Sequence, residues 1–116
     1  MPDSLADITA RLRAFVAERD WAQFHDPKNL AMAVASEAGE LVAEYRWIAN
    51  DQADVWSADP ENKKRVAMEA ADVAIAVILL CDRVGIDLPA AITAKIALNA
   101  ERYPAAQSKG RHSRPS

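Results

Sequence analysis

Four carboxylates stand at a spacing that can do chemistry. Glu37 and Glu40 lie three residues apart in SEAGELVAEYRW (36–47), and Glu69 and Asp72 repeat that interval in VAMEAADVAIAV (66–77). On a helix, a separation of three or four returns to a neighbouring face. Glu37 falls inside the angular range of Leu30, Val34 and Leu41, and Glu69 follows Val66 and precedes Ala70 and Val73. Both pairs therefore interrupt apolar stripes, where a soluble helix ordinarily keeps its carboxylates away. If the two helices pack together, all four acids face one cavity. They repel there and lose water, so some take up protons unless a cation compensates.

All-oxygen ligation favours magnesium, manganese or calcium over zinc, because no His or Cys falls at a matching position in either pair. The two histidines, His25 and His112, lie in a connection and in the tail. The absence of Glu-x-x-His pairs counts against a carboxylate-bridged di-iron bundle. The ordinary alternative is two acidic pairs on solvated faces. Glu44 stands between two roles, an outer group at the cavity or a solvent-exposed side chain.

The opposite charge is supplied in AKIALNAERYP, where Lys95, Asn99 and Arg102 or Tyr103 recur beside Ile92 and Ile96. Lysine and arginine hold phosphate oxygens, and asparagine and tyrosine donate directed hydrogen bonds. Beside a bound cation this composition suits a polyphosphate; alone it is a solvated amphipathic face. Trp21, Phe24 and His25 in RDWAQFH, together with Trp47, offer surfaces on which a base can stack, or a hydrophobic clasp closing the bundle. Lys28 and Asn29 either approach phosphates or solvate a helix start. No glycine-rich phosphate loop and no Ser or Cys nucleophile constellation is visible.

Helices must position these groups. Ser4 with Asp7 starts the first in the manner of a capping box, and the helix ends near Arg19 or Asp20. Asp26-Pro27 starts a second, running to about Ile48, and Asp59-Pro60 a third, running through Val84 to a stop at Gly85. Asp87 caps a fourth, which ends at Tyr103-Pro104. Asn50 to Ala58 is expected to be a loop in which Trp56 anchors local packing. Nothing alternates with period two, so the expected fold is an all-α four-helix bundle.

The 116 residues fit one domain, expected across 1–104, followed by a disordered basic tail across 105–116. The chain carries −3 overall, and all 17 acidic residues precede residue 105. That balance gives no case for nucleic-acid binding. The apolar run VAIAVILLC is far too short for a membrane span, so it reads as core, and no secretory signal is visible. A single cysteine, Cys81, fits a reducing compartment, and a cytoplasmic location is expected.

In order and spacing, RDWAQFHDPKNLAMAVASEAGELVAEYRW, the Glu37-x-x-Glu40 and Glu69-x-x-Asp72 pairs, and DRVGIDLPAAITAKIALNAERYP resemble the MazG-like nucleotide pyrophosphohydrolases, in particular the small dCTP pyrophosphatase branch. The resemblance covers roughly residues 8 to 104. It implies an all-helical bundle completed by assembly into a homodimer or homotetramer. It implies Mg2+, with Mn2+ as a substitute, held by Glu37, Glu40, Glu69 and Asp72, which serve as metal ligands and catalytic groups. By the same match Trp21, His25, Lys28, Trp47, Lys95, Asn99, Arg102 and Tyr103 are expected around base, sugar or phosphate. The implied reaction cleaves a nucleoside triphosphate to monophosphate and pyrophosphate, with Glu40 or Glu37 taking the proton of water.

Two positions depart from that branch. Leu12 stands where its members carry a base-side histidine, and Ala76 where they carry a tyrosine. The resemblance makes dCTP the first expected substrate; both changes remove polarity, so the expectation widens to another pyrimidine, a modified base or a wider set of nucleotides. Activity on dUTP or phosphoribosyl-ATP is a close alternative. A non-catalytic nucleotide sensor or structural helical module is the alternative of another class.

Overall fold

The computed structural model describes residues 3–111, and among them there are helices and turns but no strand. Six α-helices follow in order: α1 Leu5–Glu18, α2 Pro27–Tyr45, α3 Ala53–Ala58, α4 Pro60–Val84, α5 Leu88–Arg102 and α6 Ala105–Ser108. Single 3-10 turns at Ala22–Phe24 and Asn50–Gln52 fill the two longer connections.

Short polar residues set the helix starts. The Ser4 hydroxyl accepts from the Asp7 amide at 3.1 Å and donates to the Asp7 carboxylate at 2.7 Å, which satisfies an amide the first turn leaves without a partner. Asp26, Asp59 and Asp87 accept from amides two or three residues ahead at 2.9 to 3.3 Å, each with a proline in the following turn. Gly85 stops α4 in the left-handed region, at φ 77°, where a Cβ would be strained.

Two expectations change here. The second helix ends at Tyr45, three residues earlier than its apolar period suggested. Asn50 to Ala58 is not a loop but a 3-10 turn leading into α3. That stretch folds through non-local contacts. The Trp56 ring sits edge-on to Tyr45 at 5.1 Å, Ser57 hydrogen-bonds the Tyr45 hydroxyl at 2.7 Å, and the Asn62 amide donates to the Trp56 carbonyl at 3.0 Å.

The chain divides into two compact units, Met1–Gly85 and Ile86–Ser116. The boundary falls inside the span expected to form one domain. In the first unit α2 and α4 make the principal helix pair, with α1 and α3 packed on α4. The second unit contains α5 and α6. Ala105–Ser108, the beginning of the expected disordered tail, is a one-turn helix after Pro104; alanine is the strongest helix former. Residues 112–116, with His112 and Arg114, lie outside the described residues.

The core is thin. Val16, Leu30, Ala76 and Cys81 are the buried apolar residues among those described, whereas Trp21, Phe24, Met32, Trp47, Met68, Ile92 and Ile96 are exposed. Trp47 keeps 82% of its surface. No helix among the described residues is long and apolar enough to cross a membrane.

Candidate active site

The α2/α4 pair runs antiparallel, as its side-chain pairings show. Leu30 shares a recess with Leu79, Glu37 approaches Glu69 and Asp72, and Glu44 meets Arg65. Residue numbers rise along α2 while their partners fall along α4. This antiparallel ladder brings together acids that are about thirty positions apart in the sequence.

Glu37, Glu69 and Asp72 each offer a carboxylate oxygen, and the three oxygens lie within 4.8 Å of one another. Glu37 and Glu69 are half-buried and Asp72 is exposed. Glu40, also exposed, stands outside this close group but near enough to act on it. Loss of water holds the Glu69 carboxyl above its ordinary value, and the negative charges of Asp72, Glu40, Glu37 and Glu44 push it further in the same direction. The donor set is oxygen only. It suits a hard divalent cation, whose charge would relieve the repulsion that raises Glu69.

Glu44 is the next rung of the ladder, and its place settles an ambiguity. Arg65 Nε donates to its carboxylate at 3.0 Å, and Arg65 Nη2 donates to the Asn62 side chain at 2.9 Å. Glu44 is therefore neither a member of the close acid group nor a solvated side chain. Sequence reasoning passed over Arg65. The available signal was spacing, since Arg65 stands four residues before Glu69 and Glu44 four after Glu40.

Of the other expected site residues, four lie in other parts of the first unit and four belong to the second. His25 lines a recess of about 200 Å³ with Arg13, Val16, Leu30, Leu79, Asp82 and Arg83. There Arg13 Nε donates to both Asp82 oxygens at 3.0 and 3.1 Å, and Arg13 Nη2 adds a further bond. This pairing holds the Asp82 carboxyl below its ordinary value despite partial burial. Lys28 is exposed in the first turn of α2, nine residues from Glu37, or about 13 Å along the helix. Trp21 is 41% exposed and packs edge-on against Phe15 at 5.6 Å, while Trp47 carries the Arg46 guanidinium 5.1 Å from its ring. Lys95, Asn99 and Arg102 are exposed on α5, and Tyr103 follows its last residue; all four belong to the second unit. Leu12 lines a cleft of about 490 Å³ with Ile8, Phe15 and Ile75, and Ala76 is buried beside that stretch of α4.

An antiparallel helix pair with carboxylates converging from two i, i+3 motifs defines an all-helical protein with an oxygen-only acidic cluster of a kind that can hold a divalent cation. Comparison with known proteins gives that class a family. The MazG-like family profile matches residues 33–114, and the chain belongs to this family. It is 36% identical over 107 residues to a rat protein named dCTP pyrophosphatase 1, and 37% identical over 102 residues to the human protein of that name. These alignments cover 92% and 88% of the chain but 63% and 60% of the relatives, so the chain spans less than two thirds of their length. A crystal structure of a pyrophosphatase from Archaeoglobus fulgidus superposes with a TM-score of 0.80 at 32% identity, over 85% of this chain and 91% of that one.

Proposed function

We propose that the protein is a magnesium-dependent nucleoside triphosphate pyrophosphohydrolase that releases a nucleoside monophosphate and pyrophosphate. The observation that carries this reading is the convergence of Glu37, Glu69 and Asp72 on one point of the α2/α4 pair in a MazG-like chain. These three residues would hold the cation, with Mn2+ able to replace Mg2+. When bound, the cation supplies neutralisation of phosphate charge and a more acidic water.

The chain's own groups divide the remaining work. Glu40 is exposed and stands outside the close triad, so it is the carboxylate left to accept the proton of the attacking water. This favours Glu40 over Glu37, which belongs to the close triad proposed to hold the cation. Lys28, Lys95, Asn99, Arg102 and Tyr103 are proposed donors to phosphate or sugar, and Trp21, His25 and Trp47 are proposed neighbours of the base. Hydrogen-bond donors aimed at phosphate stabilise charge that develops as the phosphoanhydride bond breaks.

For the base, the relatives named dCTP pyrophosphatase 1 support a deoxycytidine nucleotide. The apolar Leu12 and small, buried Ala76 extend the reading to a modified pyrimidine. The exposed Trp47, Phe24, Ile92 and Ile96 support assembly into a homodimer or homotetramer, because a monomer rarely leaves so much apolar surface in water.

The test is a panel of canonical and modified nucleotides with and without magnesium, resolving monophosphate plus pyrophosphate from diphosphate plus phosphate. Metal-dependent monophosphate formation is expected, with a cytidine deoxynucleotide among the best substrates. Binding without turnover of any nucleotide would reject the enzyme and leave a nucleotide sensor.

A further inference from the structure

We infer that Arg65 is a substrate-binding residue, a guanidinium poised one turn from the acid cluster that donates to the polyphosphate when it arrives. This rests on the pyrophosphohydrolase reading and adds to it a cation that the sequence pattern did not single out.

Position comes first. Arg65 and Glu69 are four residues apart on α4, which places them on one face about 6 Å apart along the axis. On α2 and α4, Arg65 is the basic residue that stands three or four positions from any of Glu37, Glu40, Glu69 and Asp72. Lys63 and Lys64 precede Glu69 by six and five residues, which turns them off that face. If the carboxylates held a cation bound to the polyphosphate, its phosphate oxygens would lie beside them, and Arg65 is the guanidinium that the same helix pair presents there.

Orientation comes second. The Arg65 side chain is 55% exposed, yet it is not loose. Glu44 holds Nε from across the helix pair, Asn62 holds Nη2, and the guanidinium carbon lies 5.8 Å from the centre of the Trp56 ring. These contacts use two of five N–H donors, which leaves the rest of the planar fork for another anion. A guanidinium held on one edge and open on the other matches the bidentate recognition of phosphate.

Glu44 then has a definite part. It orients Arg65 in the free protein and competes with phosphate for it. The half-buried Glu44 carboxylate also adds to the repulsion felt by Glu69. An interhelical ion pair with no role in binding would make Arg65 and Glu44 equivalent; a phosphate-binding arginine makes them opposite.

The experiment measures inhibition by magnesium tripolyphosphate, a probe with phosphates and no base, together with KM and kcat for the best triphosphate of the panel. Wild-type, Arg65→Ala, Arg65→Lys and Glu44→Gln proteins are compared at equal helicity by circular dichroism. In Arg65→Ala, tripolyphosphate affinity is expected to fall about ten- to hundred-fold, the range of a charged hydrogen-bond pair, with KM rising in parallel. Arg65→Lys keeps the charge without the fork and should fall between, so it decides the question if the alanine variant does not fold. Glu44→Gln is expected to bind tripolyphosphate as well as wild type or better. Equal losses in Arg65→Ala and Glu44→Gln, or affinities unchanged within two-fold in both Arg65 variants, would overturn the inference. Wild-type turnover in the same assay keeps this outcome separate from failure of the pyrophosphohydrolase reading itself.

Discussion

Two stretches of the α2/α4 pair hold carboxylates in opposite condition. At one, Glu37, Glu69 and Asp72 crowd together and Glu69 is driven toward protonation. At the other, about three helical turns further along α4, Asp82 takes bidentate hydrogen bonds from Arg13 of α1 and stays ionised more readily than a free carboxyl. Asp82 ties α1 to α4. The repulsion within the acid cluster works against the helix pair that carries it, and either a proton or a cation would relieve it. The difference between the two regions matches the proposed division into a carboxylate that ties helices together and carboxylates that hold a ligand.

The largest effect expected from breaking this contrast is on turnover. Glu40→Gln should lower kcat by about 10² to 10⁴, the range for a lost general base, while magnesium still raises the melting temperature. Near-normal turnover would remove Glu40 from that role. Next comes metal linkage. Magnesium well above its dissociation constant should stabilise the wild type in thermal melts, and Glu69→Gln should abolish that gain. The same Glu69→Gln variant without metal should melt higher than wild type at neutral pH, because it removes a repelled charge. A lower melting temperature would mean that Glu69 supports the fold. Asp82→Asn should do the reverse, lowering the melting temperature by a few degrees and leaving the magnesium gain intact.

The smallest effect is in the pH dependence of stability without metal. The Glu69 pKa is raised in the folded state, so its favourable contribution is present below its unfolded value. It is lost as pH rises through the folded one. The Asp82 pKa is lowered, so its contribution is present above its unfolded value and is lost as pH falls through the folded one. Replacing each in turn should flatten opposite limbs of the stability curve measured by denaturant unfolding.

Local signals made much of this legible in the sequence. Asp26-Pro27, Asp59-Pro60 and Asp87 mark helix starts because one side-chain oxygen suffices to cap a turn, and Gly85 marks a stop for an equally local reason. The acid pairs stood out because a three-residue interval on a helix is itself geometry. What stayed hidden depended on distant partners. Arg13 and Asp82 are 69 positions apart, and α3 forms because Trp56 and Ser57 meet Tyr45. Glu44 was ambiguous alone and ceased to be so once Arg65 was opposite it.

Gly39 lies in α2 between Glu37 and Glu40, and a Cβ built on it would meet nothing within 4 Å. Glycine inside a helix forfeits about 1 kcal/mol relative to alanine, so the acidic turn of α2 is the part that propensity holds least. Its persistence then rests on packing against α4 and would gain from a cation held by Glu37, Glu69 and Asp72. Amide hydrogen exchange around Gly39 should therefore slow when the carboxylates are ligated, which would make the order of this turn a gauge of site occupancy.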